Sequence, residues 1–164
     1  MRIDSRAPSR CAPFGHIFRR MQVSFALFAD AANLSQEGKL NILGVFDALQ
    51  VGSLPTVHPR AHLVVHLKGT QMDVGPHTVT LRWVNPHGRE LWSSTGELNV
   101  GHPPVGVMEM DLPIIAQIDL PIDQAGSFRM SISLDNALTT HVPVQVRTAA
   151  AAAAAPHAGR SLVS

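Results

Sequence analysis

Residues 21–148 predict an all-β fold, a two-layer antiparallel β-sandwich of seven or eight strands. Apolar residues alternate with polar ones along one segment after another, and turn-forming residues separate the segments. A period of two means that one face of each strand is buried and the other faces water, which is typical of antiparallel sheets packed on a second layer. The strand order stays open, with an immunoglobulin-like Greek key preferred over a jelly roll.

The last two strands show this alternation most clearly. Asp135 and Asn136 are expected to form the turn between them, because both residue types favour tight turns. Before the turn, Phe128, Met130, Ile132 and Leu134 alternate with Arg129, Ser131, Ser133 and Asp135; after it, Val142, Val144 and Val146 alternate with His141, Pro143, Gln145 and Arg147. The pattern predicts a hairpin with one apolar face.

Six further segments carry strand signals. They are residues 22–29, 40–47 with a weak continuation to Val51, 60–68, 76–84, 90–100 and 107–120. Residues 30–39 are expected to form a loop, since they include Asp, Asn, Ser and Gly. Pro113 cannot donate to a ladder, so the segment 107–120 is either an edge strand or two strands that meet at a bend.

Composition divides the chain into one domain and two tails. The hydrophobic fraction of 45% with only 15% charged residues is typical of a folded globule. Residues 1–20 mix Arg, Ser and Pro without a period, so they are expected to be disordered or to be a mis-assigned extension before a natural start at Met21. The stretch 149–164, which opens with seven alanines, is expected to be a disordered tail.

Charge and cysteine content limit the partners and the compartment. Residues 21–148 hold seven Lys and Arg against eleven Asp and Glu, so the domain lacks the basic face that nucleic-acid binding requires. No apolar stretch reaches the ~20 residues that span a bilayer, and no membrane partner is expected. Cys11 excludes an internal disulfide, which favours the cytoplasm. Export is the alternative, since Arg19 and Arg20 precede a short apolar run.

No catalytic constellation is found, so the sequence predicts a protein that is not an enzyme and that uses no cofactor. The chain has no G-x-S-x-G motif, and Cys11 lies outside the predicted domain. Among nine histidines, His62 and His66 fall on one face of a predicted strand together with Val64, where the two would stand ~13 Å apart. Zinc–nitrogen bonds of ~2.0–2.1 Å cannot join them. A third ligand such as His77 or His141 stays open, but no metal site is predicted.

Three polar residues near the first two strands are the candidate ligand-binding residues: Asp30, Asn33 and Asp47. Asp30 ends the first predicted strand, and Asp47 interrupts an apolar run. Asp and Asn at strand ends usually brace turns through the backbone, which is the structural interpretation. The functional interpretation is a polar pocket that the three side chains build at one end of the sandwich.

The opening of the domain, MQVSFALFADAANLSQEGKLNILGVFDAL, resembles a family of small bacterial proteins that carry a domain of unknown function. The shared elements are F-A-L-x-A-D-x-A-N, Gly-Lys-Leu-Asn and Gly-hydrophobic-Phe-Asp, followed by the Pro-x-x-His-Pro of residues 55–59 and the terminal hairpin. The likeness spans about residues 21–148. It implies a compact β-sandwich and supplies no activity, ligand or catalytic residue.

Two classes of function follow from these observations. The preferred hypothesis is a non-catalytic interaction module that binds a protein partner or self-associates through an exposed sheet edge or face. The alternative is a small metal-dependent or carboxylate-based enzyme or binder, with its site at the end of the sandwich that carries Asp30, Asn33 and Asp47. Metal content and oligomeric state discriminate between the two.

Overall fold

The structure is a computed structural model that describes residues 21–149. These residues form nine strands and one short 3-10 turn. The elements are β1 (Gln22–Leu34), β2 (Leu40–Phe46), β3 (Ala48–Val51), β4 (Thr56–Thr70), the 3-10 turn Gln71–Asp73, β5 (Gly75–Val84), β6 (Glu90–Val100), β7 (Glu109–Ile122), β8 (Gly126–Leu134) and β9 (Leu138–Thr148). The expectations for residues 1–20 and for the alanine-rich tail beyond Ala149 lie outside the described residues.

The strands form two sheets. The four-stranded sheet has the order β2-β1-β4-β7 and is antiparallel throughout. The five-stranded sheet has the order β3-β9-β8-β5-β6, in which β3 runs parallel to β9 and the other pairs are antiparallel. The all-β sandwich is therefore confirmed, with nine strands in the described part of the chain rather than seven or eight. The immunoglobulin-like Greek key stays a prediction.

The strand boundaries differ most from the prediction at β1 and at residues 40–51. The loop expected at residues 30–39 is wrong in its first half, because β1 continues to Leu34 and pairs with β2 as far as Leu40. The segment 40–51 is two strands, since the chain crosses at Asp47 from the four-stranded to the five-stranded sheet. Pairing with a neighbouring strand outweighs the low strand propensity of Asp30 and Asn33.

The core lies between the two sheets around Trp83. Its side chain is fully buried, stacks on Phe128 with ring centroids 5.1 Å apart, and meets Phe28 edge to face at 6.0 Å. The inner face of β4 supplies Leu63, Val65 and Leu67, each at most 1% exposed. The predicted alternation along β4 is confirmed.

A bulge in β1 changes which of its residues face the core. Val23 pairs with Leu67 on the inner face, but the register shifts before Phe25, which pairs with His66 on the outer face. A bulge adds one residue and so reverses the side of every residue that follows it. Phe28 consequently enters the core, while Phe25 and Leu27 lie on the outside of the four-stranded sheet.

The sheet edges are β2 and β7 in the four-stranded sheet and β3 and β6 in the five-stranded sheet. Of the two alternatives for residues 107–120, the single edge strand is the one observed, as β7. The last hairpin, β8 and β9, lies inside its sheet, because β3 pairs with β9 and covers the edge on that side. Within residues 21–149, no helix is long and apolar enough to cross a membrane.

Candidate functional site: an apolar sheet face and the cleft beside it

The outer face of the four-stranded sheet is apolar at its centre, where His62 and His66 flank Val64 on β4. The central row runs across β1, β4 and β7 and consists of Leu27, Val64 and Ile115. Phe25 lies in the neighbouring row towards the start of β1. Ala29 and its partner Val45 on β2 lie in the neighbouring row towards the end of β1. We call these six residues, Phe25, Leu27, Ala29, Val45, Val64 and Ile115, the apolar outer face. Ala29 and Val64 are 0% exposed although they point away from the core.

The outer face of the five-stranded sheet is polar and provides an internal comparison. Its outward residues include Thr80 on β5, Ser131 and Ser133 on β8, and Thr139 and His141 on β9. Their side chains bond one another across strands, as in the pairs Ser131–His141 at 3.1 Å and Ser133–Thr139 at 3.2 Å. An antiparallel sandwich normally presents such a wet face to solvent. The four-stranded sheet does not.

Several residues of the apolar outer face reach the solvent. Val45 is 61% exposed and Phe25 is 38% exposed. Phe25 stacks flat on the ring of His66, with centroids 4.9 Å apart and planes 6° from parallel. A contiguous exposed apolar patch on a folded domain marks an interaction site more often than chance exposure does.

A group of charges borders the apolar outer face at the end where Phe25 lies. The Lys68 ammonium lies 2.6 Å from Asp111 and 3.1 Å from Glu109, and His66 Nε2 lies 3.5 Å from the same Asp111 carboxylate. The hydrogen bond from Lys68 holds the pKa of Asp111 below its usual value, and the Asp111 carboxylate raises the pKa of Lys68. These exposed pairs form a polar rim and add little stability.

A polar cleft opens at the opposite end of the apolar outer face. Beyond the pair Ala29–His62, β1 no longer pairs with β4, and the register of β4 against β7 shifts between His58 and Ala61. Arg60 takes a φ of +52° in this bulge, and its backbone N–H donates to Asp119 Oδ1 at 2.8 Å. The resulting cleft has a volume of about 340 Å³ and is lined by Asp30, His58, Pro59, Arg60, His62 and Gln117.

Beyond the cleft, β1 and β2 continue as a two-stranded ribbon. We call residues 30–44 the arm; its register runs from Ala31–Leu43 to Leu34–Leu40, and no residue of this part of β1 pairs with β4. Leu43 is 72% exposed and Leu34 is 46% exposed. None of the apolar residues of the arm belongs to the core or packs against it.

The structure places the three predicted ligand-binding residues at separate points. Asp30 lines the cleft, and its carboxylate fills the space beside Gly44, where a Cβ would come within 2.2 Å of Oδ2. Asn33 Oδ1 accepts a hydrogen bond from Asn41 Nδ2 at 2.9 Å, on the arm. Asp47 is exposed, and its carbonyl accepts from the Gln145 N–H at 2.7 Å.

These three residues do not line a common cleft among the described residues. Asn33 pairs with Asn41, and Asn41 lies six positions before Asp47, which is ~20 Å along a strand. Ligand binding by Asp30, Asn33 and Asp47 together stays a prediction. Asp30 and Arg60 line the same cleft. Arg60 was not among the residues selected from the sequence.

The histidines near the cleft do not form a ligand set. His62 and His66 lie on the outer face, as predicted, whereas His58 lies edge-on to Phe46 with ring centroids 5.6 Å apart. Within residues 21–149, no group of three or more His, Cys, Asp or Glu side chains is placed to hold a metal ion. The buried Nδ1 atoms of His62 and His66 have no hydrogen-bond partner in the part of the chain that the structure describes.

A second titratable group lies away from this surface, between the start of β5 and the turn that joins β8 to β9. His77 Nδ1 lies 2.7 Å from Asp135 Oδ2, and its Nε2 lies 2.7 Å from the carbonyl oxygen of Asp73. Both neighbours are acceptors, so both contacts are hydrogen bonds only when both ring nitrogens carry a proton, as in the imidazolium. The Asp135 carboxylate accordingly raises the pKa of His77, and His77 lowers the pKa of Asp135.

Comparison with known proteins assigns the chain to a family without assigning an activity. The model of a family of unknown function, DUF6941, matches residues 24–147, and the chain belongs to this family. No curated protein matches the chain. The resemblance to a domain of unknown function is therefore confirmed, while the bacterial origin stays a prediction.

Proposed function

We propose that this protein is a non-catalytic interaction module, and that its contact surface is the apolar outer face together with the arm. One observation carries the proposal: the two outer faces of the same sandwich differ in chemistry. The face of the five-stranded sheet presents hydroxyls that bond one another, and the face of the four-stranded sheet presents Phe25, Leu27 and Val45. Burying exposed apolar area is the main driving force of protein association.

The surroundings of the apolar outer face support a protein partner. The rim of Lys68, Glu109 and Asp111 at one end and the cleft with Asp30 and Arg60 at the other give a polar border to an apolar centre. Protein interfaces have this arrangement, with a desolvated centre and a solvated rim. A cytoplasmic setting is part of the proposal, supported by the single cysteine.

Photo-crosslinking in the cells that make the protein tests the contact surface. A photoreactive amino acid replaces Val45 on the apolar outer face or, as a matched control, Thr80 on the face of the five-stranded sheet. The expected result is a discrete adduct of higher mass from position 45 and none from position 80. Adducts from both positions alike, or from neither, would show that the face is not a contact surface.

A second candidate function is small-ligand binding in the cleft, favoured by the way the bulge of β4 brings Arg60 to Asp30. Bulges often occur next to ligand sites because they re-aim side chains. Inorganic phosphate and small carboxylates are the probes, since a guanidinium and imidazoles bind both. Titration calorimetry of the full chain should then give a saturable binding signal. Arg60→Gln should abolish this signal, and the control Arg82→Gln, on the opposite sheet, should leave it unchanged. Absence of heat with every anion would retire this candidate.

A further inference from the structure

The edge strand β2 lacks most of the features that keep sheet edges from pairing. Natural edges are blocked by charged residues, prolines, bulges or short length. Among the other edges of the described sandwich, β7 contains Pro113 and Pro121, β6 contains Glu90 and Glu97, and β3 has only four residues. The sequence of β2, LNILGVF, has no charge and no proline, and its one irregularity is Gly44 with a φ of +69°.

The arm to which β2 belongs is weakly supported by its own chain. An isolated two-stranded ribbon is marginally stable in water, and a third strand or a packed layer is usually needed. Residues 30–44 make no pairs with β4 and stay outside the core, yet Leu34 and Leu43 are 46% and 72% exposed. A further strand along β2 would supply the missing support.

From these observations we infer that β2 pairs antiparallel with β2 of a second copy of this chain, across a two-fold axis at Leu43. This rests on the proposed function and names the partner for its surface. Such pairing joins two four-stranded sheets into one and makes the two apolar outer faces continuous. A two-fold interface of this kind is self-complementary, as most homodimer interfaces are.

Backbone geometry limits the possible registers. Ser35 N–H donates to the Lys39 carbonyl at 2.8 Å, and hydrogen-bonded pairs alternate along an antiparallel ladder, so Asn41, Leu43 and Val45 bond to β1. The backbone groups of β2 that point away from β1, and that no other strand within residues 21–149 pairs with, therefore belong to Leu40, Ile42, Gly44 and Phe46. Only registers that place these even-numbered residues opposite one another satisfy them.

Charge selects one register among those allowed. Lys39, whose ammonium also contacts Glu37 of its own chain, precedes β2, and Asp47 follows it, with no charge in the strand itself. When Leu43 lies opposite its own copy, position 39 lies opposite position 47, so each Lys39 faces an Asp47 of the second copy at both ends of the pairing. Registers shifted by two residues in either direction place Lys39 opposite an uncharged residue. The charges at the ends of β2 thus complement a second β2.

Charge reversal tests the register. Sedimentation velocity at low salt is expected to show that the full chain dimerises, that K39D and D47K each weaken the dimer about tenfold, and that the double variant K39D/D47K dimerises like the wild type. An equimolar mixture of the two single variants should also dimerise, because the introduced aspartate of one faces the introduced lysine of the other. Recovery in the mixture also shows that both variants are folded.

Cysteine crosslinking tests the axis. In a Cys11→Ser background, Leu43→Cys should form an interchain disulfide with its own copy on mild oxidation, since non-hydrogen-bonded pairs bring their Cα atoms to about 4.5 Å. Val57→Cys, at an exposed residue on β4, is the control and should form no interchain disulfide.

The two proposals fail differently. A full chain that stays monomeric at every concentration, or a mixture of K39D and D47K that associates no better than either variant alone, would overturn pairing through β2. The proposed contact surface would still be supported after that result if position 45 crosslinked to a different protein in cells. It would be overturned as well if position 45 gave no adduct.

Discussion

The indole Nε1 of Trp83 donates a hydrogen bond to the carbonyl oxygen of Pro121 at 2.8 Å and so joins the two sheets through the core. Trp83 lies on β5 in the five-stranded sheet, and Pro121 lies on β7 in the four-stranded sheet. A proline has no N–H, but its carbonyl still requires a partner, which here comes from the opposite layer.

Replacing Trp83 tests this link between the layers. Trp83→Phe leaves the Pro121 carbonyl without its donor and removes part of a fully buried ring, so the free energy of unfolding should fall by about 2–4 kcal/mol. Trp92→Phe is the matched control, because Trp92 is only half-buried. This variant should lower the free energy of unfolding by about 1 kcal/mol or less. Urea denaturation measures both. Equal losses would mean that the hydrogen bond contributes nothing specific.

Val64 should behave as a core residue although it lies on an outer face. Its side chain is 0% exposed, whereas Val45, on the same face, is 61% exposed. Val64→Ala should lower the free energy of unfolding by about 1–3 kcal/mol, and Val45→Ala should change it by less than about 0.5 kcal/mol. If chemical denaturation of the dilute chain gave similar small values for both, Val64 would not be buried in solution.

Gly126 should not tolerate a side chain. Its φ is +131°, and a Cβ there would lie 2.8 Å from Cγ of Pro86. Gly126→Ala is expected to lower the free energy of unfolding by about 1–3 kcal/mol and therefore to lower the midpoint temperature of thermal unfolding. Gly96→Ala, where a Cβ would meet nothing within 4 Å, serves as the control and should be close to neutral. Equal midpoints for the two variants would contradict the close approach.

The pair His77–Asp135 should make stability depend on pH. The pKa of His77 is raised in the folded protein. Its contribution to the free energy of unfolding is therefore complete below the pKa of the unfolded chain, about 6.5, and is lost as pH rises through the folded pKa. The pKa of Asp135 is lowered, so its contribution is present above about 3.9 and is lost as pH falls through the folded pKa. The pair is therefore strongest between about pH 4 and 6.5.

Unfolding across pH 5 to 9 checks this sign. As pH rises over this range, the free energy of unfolding of the wild type should fall by about 1 kcal/mol more than that of His77→Gln. The value is small because the Asp135 side chain is 45% exposed. His141→Gln is the control, since His141 bonds only a serine hydroxyl in the described contacts. A wild-type profile that runs parallel to that of His77→Gln would show that the imidazolium contributes no stability.

Strands with one buried face and clear turns could be predicted from the sequence. Residues 90–100 were predicted as a strand and form β6 with the same bounds. The turn at Asp135 and Asn136 is also confirmed, with φ of +50° and +56° at the two residues, values that Asp and Asn tolerate better than most side chains. In these segments, local propensity and tertiary pairing agree.

The proposed contact surface depends on features that local sequence patterns do not report. Val23, Phe25 and Leu27 alternate as on a regular strand, but the bulge between Val23 and Phe25 moves the last two to the outer face. The cleft similarly arises where Arg60 is the extra residue of a bulge in β4. Bulges are decided by pairing with partners distant in sequence, so the apolar outer face and the position of Arg60 at the cleft could not be predicted, whereas Asp30 was selected for its polarity.

Hydroxyl-radical footprinting of the chain inside the cells that make it, compared with the purified chain at low concentration, tests the apolar contact surface most directly. Phe25 and Leu43 report on this surface, and Met72 and Met108, 69% and 87% exposed elsewhere, are internal controls. We expect labelling of Phe25 and Leu43 to fall several-fold in cells while both methionines stay unchanged. Equal labelling of all four residues in the two conditions would contradict an interaction module that uses this face.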